Sequence, residues 1–219
     1  MAHEIKNILV NHLHDKALKI FCKRYLSGDL IDIGCGKKPY AEMLASVVTS
    51  HTGLDHPESL HSLEKVDLVG TAYKIPAKDA SFDCAISTAV LEHLEEPETA
   101  IREANRVLKQ GGYAIYSVPF IWHIHEEPRD FYRYSKYGLA YLFEKAGFEV
   151  IEIKPLSGFC VTFGQLLVYY MYRFHKGPLK YIPIIPLFGL IVQGISFLLY
   201  QIDNSYRWTW MYMAVVRKK

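Results

Sequence analysis

Apolar residues at Ile5, Ile8, Leu9, Leu13, Leu18, Phe21, Cys22 and Tyr25 keep helical spacing, and Ser27-Gly28 ends that run. Leu30 to Ile33 is a short apolar strand running into glycines. Pro39 to Val48 predicts a helix with proline in its first turn. Short strands are predicted over His51–Asp55, Val66–Val69 and Phe82–Ser87. Pro97 to Lys109 is amphipathic, with Ile101, Ala104, Val107 and Leu108 on the inner face and Gly111-Gly112 as its stop. A strand over Tyr113–Val118 closes on Pro119. Ser135 caps a helix that ends at Ala146, before Gly147. Strands over Phe148–Ile153 and Trp208–Val216 complete the pattern.

Seven strands therefore alternate with helices, which predicts an α/β fold: a doubly wound, mostly parallel sheet covered on both faces. No internal repeat interrupts it. Ile121 to Arg133 is long for a plain connection, so a functional loop is expected there. Two stretches carry no charged residue, Ser157–Tyr172 and Tyr181–Ile202. The second has the length of a membrane span.

Composition narrows the function classes. A chain of 219 residues supports one core, so a single domain is expected: an N-terminal helix to residue 27, a core over 28–154, an apolar insertion over 155–207 and a last strand over 208–217. The net charge of +2, with no basic stripe, argues against a nucleic-acid partner. Cys22, Cys35, Cys84 and Cys160 form no CxxC pair, so reduced thiols in a cytoplasmic protein are expected. Met1 to Lys16 lacks the apolar run of a signal peptide.

Ligands of an open parallel sheet bind beyond the carboxyl ends of its strands. The turn after the first strand is Gly34-Cys35-Gly36, where glycine lets the backbone approach a ligand closely. Asp55, 21 residues after Gly34, ends the second strand and can accept both hydroxyls of a ribose. A dinucleotide fold prefers a third glycine where this chain has Pro39. Asp32, inside the first strand, would repel a pyrophosphate. It would favour the ammonium and sulfonium of S-adenosylmethionine. The residues thus favour the methyl donor over NAD.

LIDIGCGKKPY resembles the first motif of class I S-adenosylmethionine-dependent methyltransferases. The likeness continues in order through GLDH, DLVGTAYKIP, SFDCAIST, VLEHLEEPETAIREANRVLKQGGYAIYSVP and YGLAYLFEKAGFEV, and this pattern is similar to the methyltransferase-11 group. The resemblance implies a Rossmann-like seven-stranded sheet whose last strand is antiparallel, with S-adenosylmethionine as cofactor. It implies that Asp32, Gly34 and Gly36 hold the methionine end, with Cys35 as a small filler. Asp55 would bind the ribose, His56 would flank the adenine, Thr71 and Ala72 would meet it, and Ser87 would lie behind the methionine. An acidic residue is common in the family where this chain has Thr71.

Methyl transfer from a sulfonium needs alignment, and a base where the acceptor is a hydroxyl or an acidic carbon. His93 and His125 are the candidate bases. Glu92, His123, Asp130, Arg133 and Tyr134 are candidate substrate or lid residues. His123 and His125 lack a third ligand at a fixed spacing, so no metal is assigned. The family usually joins its last two strands almost directly, whereas about fifty residues intervene here. That insertion is read as a peripheral membrane contact through 157–202, a lid or homodimer surface, or a span. The function expected is methyl transfer to a small-molecule or lipid-linked acceptor, of quinone-precursor or saccharide type. The alternative is a catalytically silent module that binds S-adenosylmethionine or a protein partner.

Overall fold

The computed structural model describes residues 5–59 and 62–219. Seven strands form one sheet: β1 (Asp29–Ile33), β2 (Ser50–Asp55), β3 (Leu68–Val69), β4 (Phe82–Thr88), β5 (Leu108–Pro119), β6 (Phe148–Pro155) and β7 (Met211–Lys218). Their order is β3-β2-β1-β4-β5-β7-β6. β1 runs parallel to both β2 and β4, and β2–β3 and β4–β5 are also parallel. Six strands are parallel and the last is antiparallel, which is the Rossmann-like arrangement expected. Strand order reverses between β1 and β4, so a crevice opens at the carboxyl ends of that pair.

Burial explains why these strands sit centrally. Leu30, Ile31 and Ile86 are fully enclosed, as a strand covered on both faces requires. The helices α3 (Pro97–Val107) and α4 (Lys136–Lys145) supply cover: α3 buries Ala100, Ile101, Ala104 and Val107, and α4 buries Leu139 and Phe143. Ser135 accepts the Gly138 N–H, as its capping position predicts.

Several boundaries differ from expectation for local reasons. The helix predicted over Pro39–Val48 reduces to α2, Ala41–Leu44. The Val47 and Val48 N–H groups both donate to the Leu44 carbonyl, which closes the chain into a tight turn. The helix predicted to reach Lys109 stops at Val107, because Leu108 already pairs with Phe82. Gly111-Gly112 lies inside β5, within the irregular stretch between Leu108, opposite Phe82, and Tyr113, opposite Cys84, and is no helix stop. Trp208 ends a 3-10 turn, Tyr206–Trp208, and the last strand starts at Met211.

The chain divides into two compact units. The sheet unit comprises Leu18–Pro119, Ile124–Lys154 and Tyr212–Lys219. The helical unit comprises the segment ending at Ala17, Phe120–His123 and Pro155–Met211. A 3-10 turn, Ile5–Asn7, leads into α1 (Ile8–Tyr25), whose residues up to Ala17 belong to the helical unit, and in that unit the insertion forms α5 (Phe159–Tyr172) and α6 (Ile184–Tyr200). Asp203 accepts the Cys160 N–H at 2.8 Å and Ser205 accepts the Phe159 N–H at 2.8 Å, which caps α5. Among the described residues no helix is long and apolar enough to cross a membrane.

Candidate functional site

The glycine turn at the end of β1 is built as the sequence predicts. Gly34 and Gly36 have φ of 76° and 51°, the left-handed region that glycine adopts at least cost. The Gly34 and Cys35 N–H groups both donate to the Leu54 carbonyl of β2. A Cβ on Gly34 would collide with the Val90 side chain. Val90 therefore seats against the turn, which brings the segment after β4 onto the segment after β1. The Cys35 thiol is buried, and desolvation pushes it up to about 12, so it remains a neutral filler.

Asp55 holds this turn. Its Oδ2 accepts the Gly36 N–H at 2.7 Å, and its Oδ1 accepts the His56 N–H at 2.7 Å. A carboxylate offers about four lone-pair sites, so acceptor capacity remains for the hydroxyls of a ribose. The Gly70 N–H donates to the Asp55 carbonyl, which sets the Thr71-Ala72 turn beside it. Thr71 and Lys74 close that turn through an antiparallel bridge. The His56 Nδ1 accepts the Glu58 N–H at 3.0 Å, so the ring closes its own loop. Ser87 is buried in β4, opposite Tyr116 of β5. The unsubstituted backbone at Gly34 and Gly36 and the anchored carboxylate of Asp55 fit the nucleoside and amino-acid ends of S-adenosylmethionine.

Asp32 has a partner that its strand pattern does not reveal. The Asp32 carboxyl is almost fully enclosed, and its Oδ2 lies 3.0 Å from the His51 Nε2 of β2. Burial raises its pKa, and the hydrogen bond and charge of His51 oppose that rise. The Lys38 ammonium donates to the His51 carbonyl and pairs with Asp67. Asp67 in turn accepts the Gly53 N–H at 2.6 Å. A polar lattice thus braces the cofactor turn from β2 and from the approach to β3. Gly53 marks it in sequence, because a Cβ there would meet Lys38 and Cys35.

Beyond Val90, Leu91–His93 forms a 3-10 turn just after β4. Glu92 is 1% exposed, and neither carboxyl oxygen has a hydrogen-bond partner. Desolvation pushes its pKa up to about 8, against the pull of its own backbone N–H and of the Arg133 charge. The His93 Nδ1 meets the Arg129 carbonyl at 2.5 Å. That acceptor fixes the proton on Nδ1 and leaves Nε2 unprotonated in the neutral ring, 3.9 and 3.7 Å from Glu92 and Glu126. His125 packs edge-on against His93 with ring centroids 4.9 Å apart. Among the described residues, Glu92, His93 and His125 are the group whose ligand atoms, all within 4.8 Å, could hold a metal ion.

The loop that carries His125 is locked onto this turn. The Phe131 and Tyr132 N–H groups donate to the Glu92 carbonyl, and the Tyr134 hydroxyl donates to the Leu91 carbonyl at 3.0 Å. Arg133 grips Asp130 through both carboxyl oxygens at 2.6 and 2.7 Å, and the His125 N–H donates to the same carboxylate. This donor set holds Asp130 well below the usual carboxylate range, the Arg133 hydrogen bonds contributing most. Burial lowers the His125 pKa, partly offset by Asp130. His123 belongs to the helical unit instead, its ring tilted against that of Tyr169 with centroids 4.0 Å apart. The structure thus gathers Glu92, His93, His125, Asp130, Arg133 and Tyr134 in one cluster.

Comparison with known proteins gives the same reading of the sheet unit. Residues 31–116 match the family model described as a methyltransferase domain. A probable S-adenosylmethionine-dependent methyltransferase of Mycolicibacterium smegmatis is 30% identical over 112 residues, covering 48% of this chain and 44% of that protein. A ubiquinone biosynthesis O-methyltransferase of Vibrio atlanticus is 28% identical over 126 residues, covering 52% of this chain and 51% of that one. The chain spans about half the length of the curated relatives it matches. A solved phosphoethanolamine N-methyltransferase of Haemonchus contortus, in complex with S-adenosylhomocysteine, superposes with a TM-score of 0.58 at 18% identity, covering 94% of this chain and 52% of that one. Motif, sheet order and relatives converge on one likeness: over residues 31–116 the chain is similar to S-adenosylmethionine-dependent methyltransferase domains.

Proposed function

We propose that this chain transfers a methyl group from S-adenosylmethionine to a small-molecule or lipid-linked acceptor. The observation that carries the reading is the contact of Val90 with Gly34. It seats the residue before the Glu92-His93 turn against the glycine turn, which supports a reading in which donor and acceptor sides share one site. When bound, S-adenosylmethionine supplies a methyl on an already activated sulfur. The protein's task is then alignment and proton removal. Asp32, Gly34, Gly36 and Asp55 hold the donor, with Thr71, Ala72 and Ser87 beside it. His93 acts as the base through Nε2, because its Nδ1 proton is committed to the Arg129 carbonyl. His125 lies beside it, and the Asp130–Arg133 pair fixes the loop over both.

The quinone-pathway relatives support an acceptor with an acidic hydroxyl or carbon, for which a base is needed. Peripheral membrane contact through residues 157–202 suits a lipid-linked member of that class, such as a quinone precursor or a lipid-borne saccharide. The test is a methyl-transfer screen with labelled S-adenosylmethionine against cell-extract fractions divided into lipid and aqueous pools. Label is expected in an organic-extractable product, and His93→Gln is expected to lower turnover by about 10²–10⁴-fold with donor affinity kept. Absence of S-adenosylhomocysteine binding at high micromolar concentration would refute the reading. Binding without transfer to any fraction would assign the chain to the silent class.

A further inference from the structure

The helical hairpin of α5 and α6 buries polar side chains beside Val161, Val168 and Ile185 and turns most of its large apolar residues outward. Where the two helices bury side chains, those groups include polar and small ones: Thr162 and Gln165 on α5, and Gly189, Gln193 and Ser196 on α6. A Cβ on Gly164 would collide with Ser196, so the helices approach closely through small residues. The buried amides are used internally. Gln193 accepts the Leu9 N–H at 2.9 Å and donates to the Ile5 carbonyl at 2.9 Å, and Gln165 donates to the Lys6 carbonyl at 2.6 Å. The outward faces are apolar. Phe159, Phe163, Leu167 and Tyr170 make an exposed stripe at three- and four-residue spacing along α5, and the exposed Phe174 follows it. Ile184, Leu187, Ile191, Ile195 and Leu198 do the same on α6, with Leu198 70% exposed.

A helix in water buries its apolar stripe and exposes its polar one. Small and polar residues between helices, with apolar residues outside, are the pattern of helices in contact with lipid. Charge selects the kind of lipid. No Asp or Glu occurs between Ile153 and Ile202, while Arg173, Lys176 and Lys180 lie at the connection between the helices. Arg207, with Tyr206 and Trp208, follows α6 at the other end of the hairpin. Basic residues and amphipathic rings at both ends suit a hairpin lying flat at headgroup depth, not one entering tip first. Length agrees, since helices of 14 and 17 residues are about 21 and 26 Å long at 1.5 Å per residue, short of an apolar core of about 30 Å.

We propose that the outward face of α5 and α6 is a docking surface for an anionic phospholipid bilayer, in which the hairpin lies within one leaflet. This deepens the lipid-linked reading of the acceptor by naming the surface on which it is met, yet it rests on the hairpin alone. The test uses the full chain and measures vesicle binding, so its failure and failure of methyl transfer are separate results. Cosedimentation compares vesicles of pure phosphatidylcholine with vesicles containing about a third phosphatidylglycerol, at low and at near-physiological salt. Binding is expected to be at least tenfold tighter to the anionic vesicles and to weaken with salt. Ile191→Gln with Leu198→Gln, both exposed positions, is expected to lower it at least tenfold while leaving S-adenosylhomocysteine affinity unchanged. Lys176→Glu with Lys180→Glu is expected to remove only the preference for anionic lipid. Failure of the unmodified chain to bind either vesicle, or equal binding to both, overturns the proposal. A lipid-free dimer that the Ile191→Gln, Leu198→Gln variant dissociates, without any vesicle binding, assigns the face to a second copy of this chain instead.

Discussion

Gly34 tolerates no side chain for two independent reasons, its φ of 76° and the Val90 side chain that a Cβ would strike. Gly34→Ala is therefore expected to displace the turn against Leu54 and Asp55 and to weaken S-adenosylhomocysteine binding at least a hundredfold by calorimetry. Gly194→Ala, where a Cβ meets open space, is the matched control and should leave that affinity unchanged. Glu92 gives a second residue-level prediction. Its folded pKa of about 8 lies above the ordinary carboxyl value, so between about pH 4.5 and 8 the folded state binds more protons than the unfolded one. Stability from this group is full at low pH and is lost as pH rises, by up to about 1.4 kcal/mol per pH unit. Urea unfolding of the native chain against Glu92→Gln should show this loss between pH 5 and 7.5 in the native chain alone. A parallel pH dependence in both would place the titration elsewhere. The sequence shows the cofactor glycines and Asp55 because their chemistry is written in residue type and spacing. It does not show that His51 pairs with Asp32, because that contact comes from β2 through strand register, which local pattern does not carry.

Among elements, the loop from Ile124 to Tyr134 owes its order to three kinds of bond. It holds the Asp130–Arg133 grip, it donates two backbone N–H groups to the Glu92 carbonyl, and it donates the Tyr134 hydroxyl to Leu91. Lysine carries the same charge as arginine but cannot span both oxygens of Asp130. Arg133→Lys is therefore expected to free the loop without unfolding the sheet. Hydrogen exchange should quicken at the His125, Phe131 and Tyr132 amides by tenfold or more while the amides of β1 and β4 keep their protection. Once an acceptor is known, the same variant should raise its KM and leave donor affinity within twofold. Exchange that quickens throughout the sheet would make the pair a support of the fold and not of the loop. The length of this segment and its His, Asp and Arg content mark it in sequence as functional, but its partner does not follow from them. Glu92 and His93 lie some thirty residues upstream, and β5 and its crossover bring the two together. His123, two residues from His125, goes to the other unit for the same reason, because sequence adjacency does not fix which core a side chain joins.

For the whole molecule, parallel strands buried on both faces leave near-continuous apolar runs, which is why β1 and β4 are readable at their proper places. The helix stop assigned to Gly111-Gly112 fails because a glycine pair serves a strand irregularity as well as a helix end, and only pairing with Phe82 decides between them. The apolar insertion is readable as helical, yet the inverted placement of its glutamines emerges only when α5 and α6 pack. The choice of cofactor is settled at this scale, because a ligand that binds only the folded chain stabilises all of it that unfolds with the site. At a hundred times its dissociation constant, S-adenosylhomocysteine should add about 2.7 kcal/mol, and for a chain of this size that raises Tm by roughly 5–10 °C. NAD at the same concentration should leave Tm unchanged, since Pro39 stands where a dinucleotide-binding turn prefers its third glycine. Differential scanning calorimetry reads both at once. A rise with NAD and none with S-adenosylhomocysteine would reassign the glycine turn to a dinucleotide. Two transitions, of which one moves with S-adenosylhomocysteine, would show that the sheet unit unfolds apart from the helical one, and the moving transition is expected to be the one lost in Gly34→Ala.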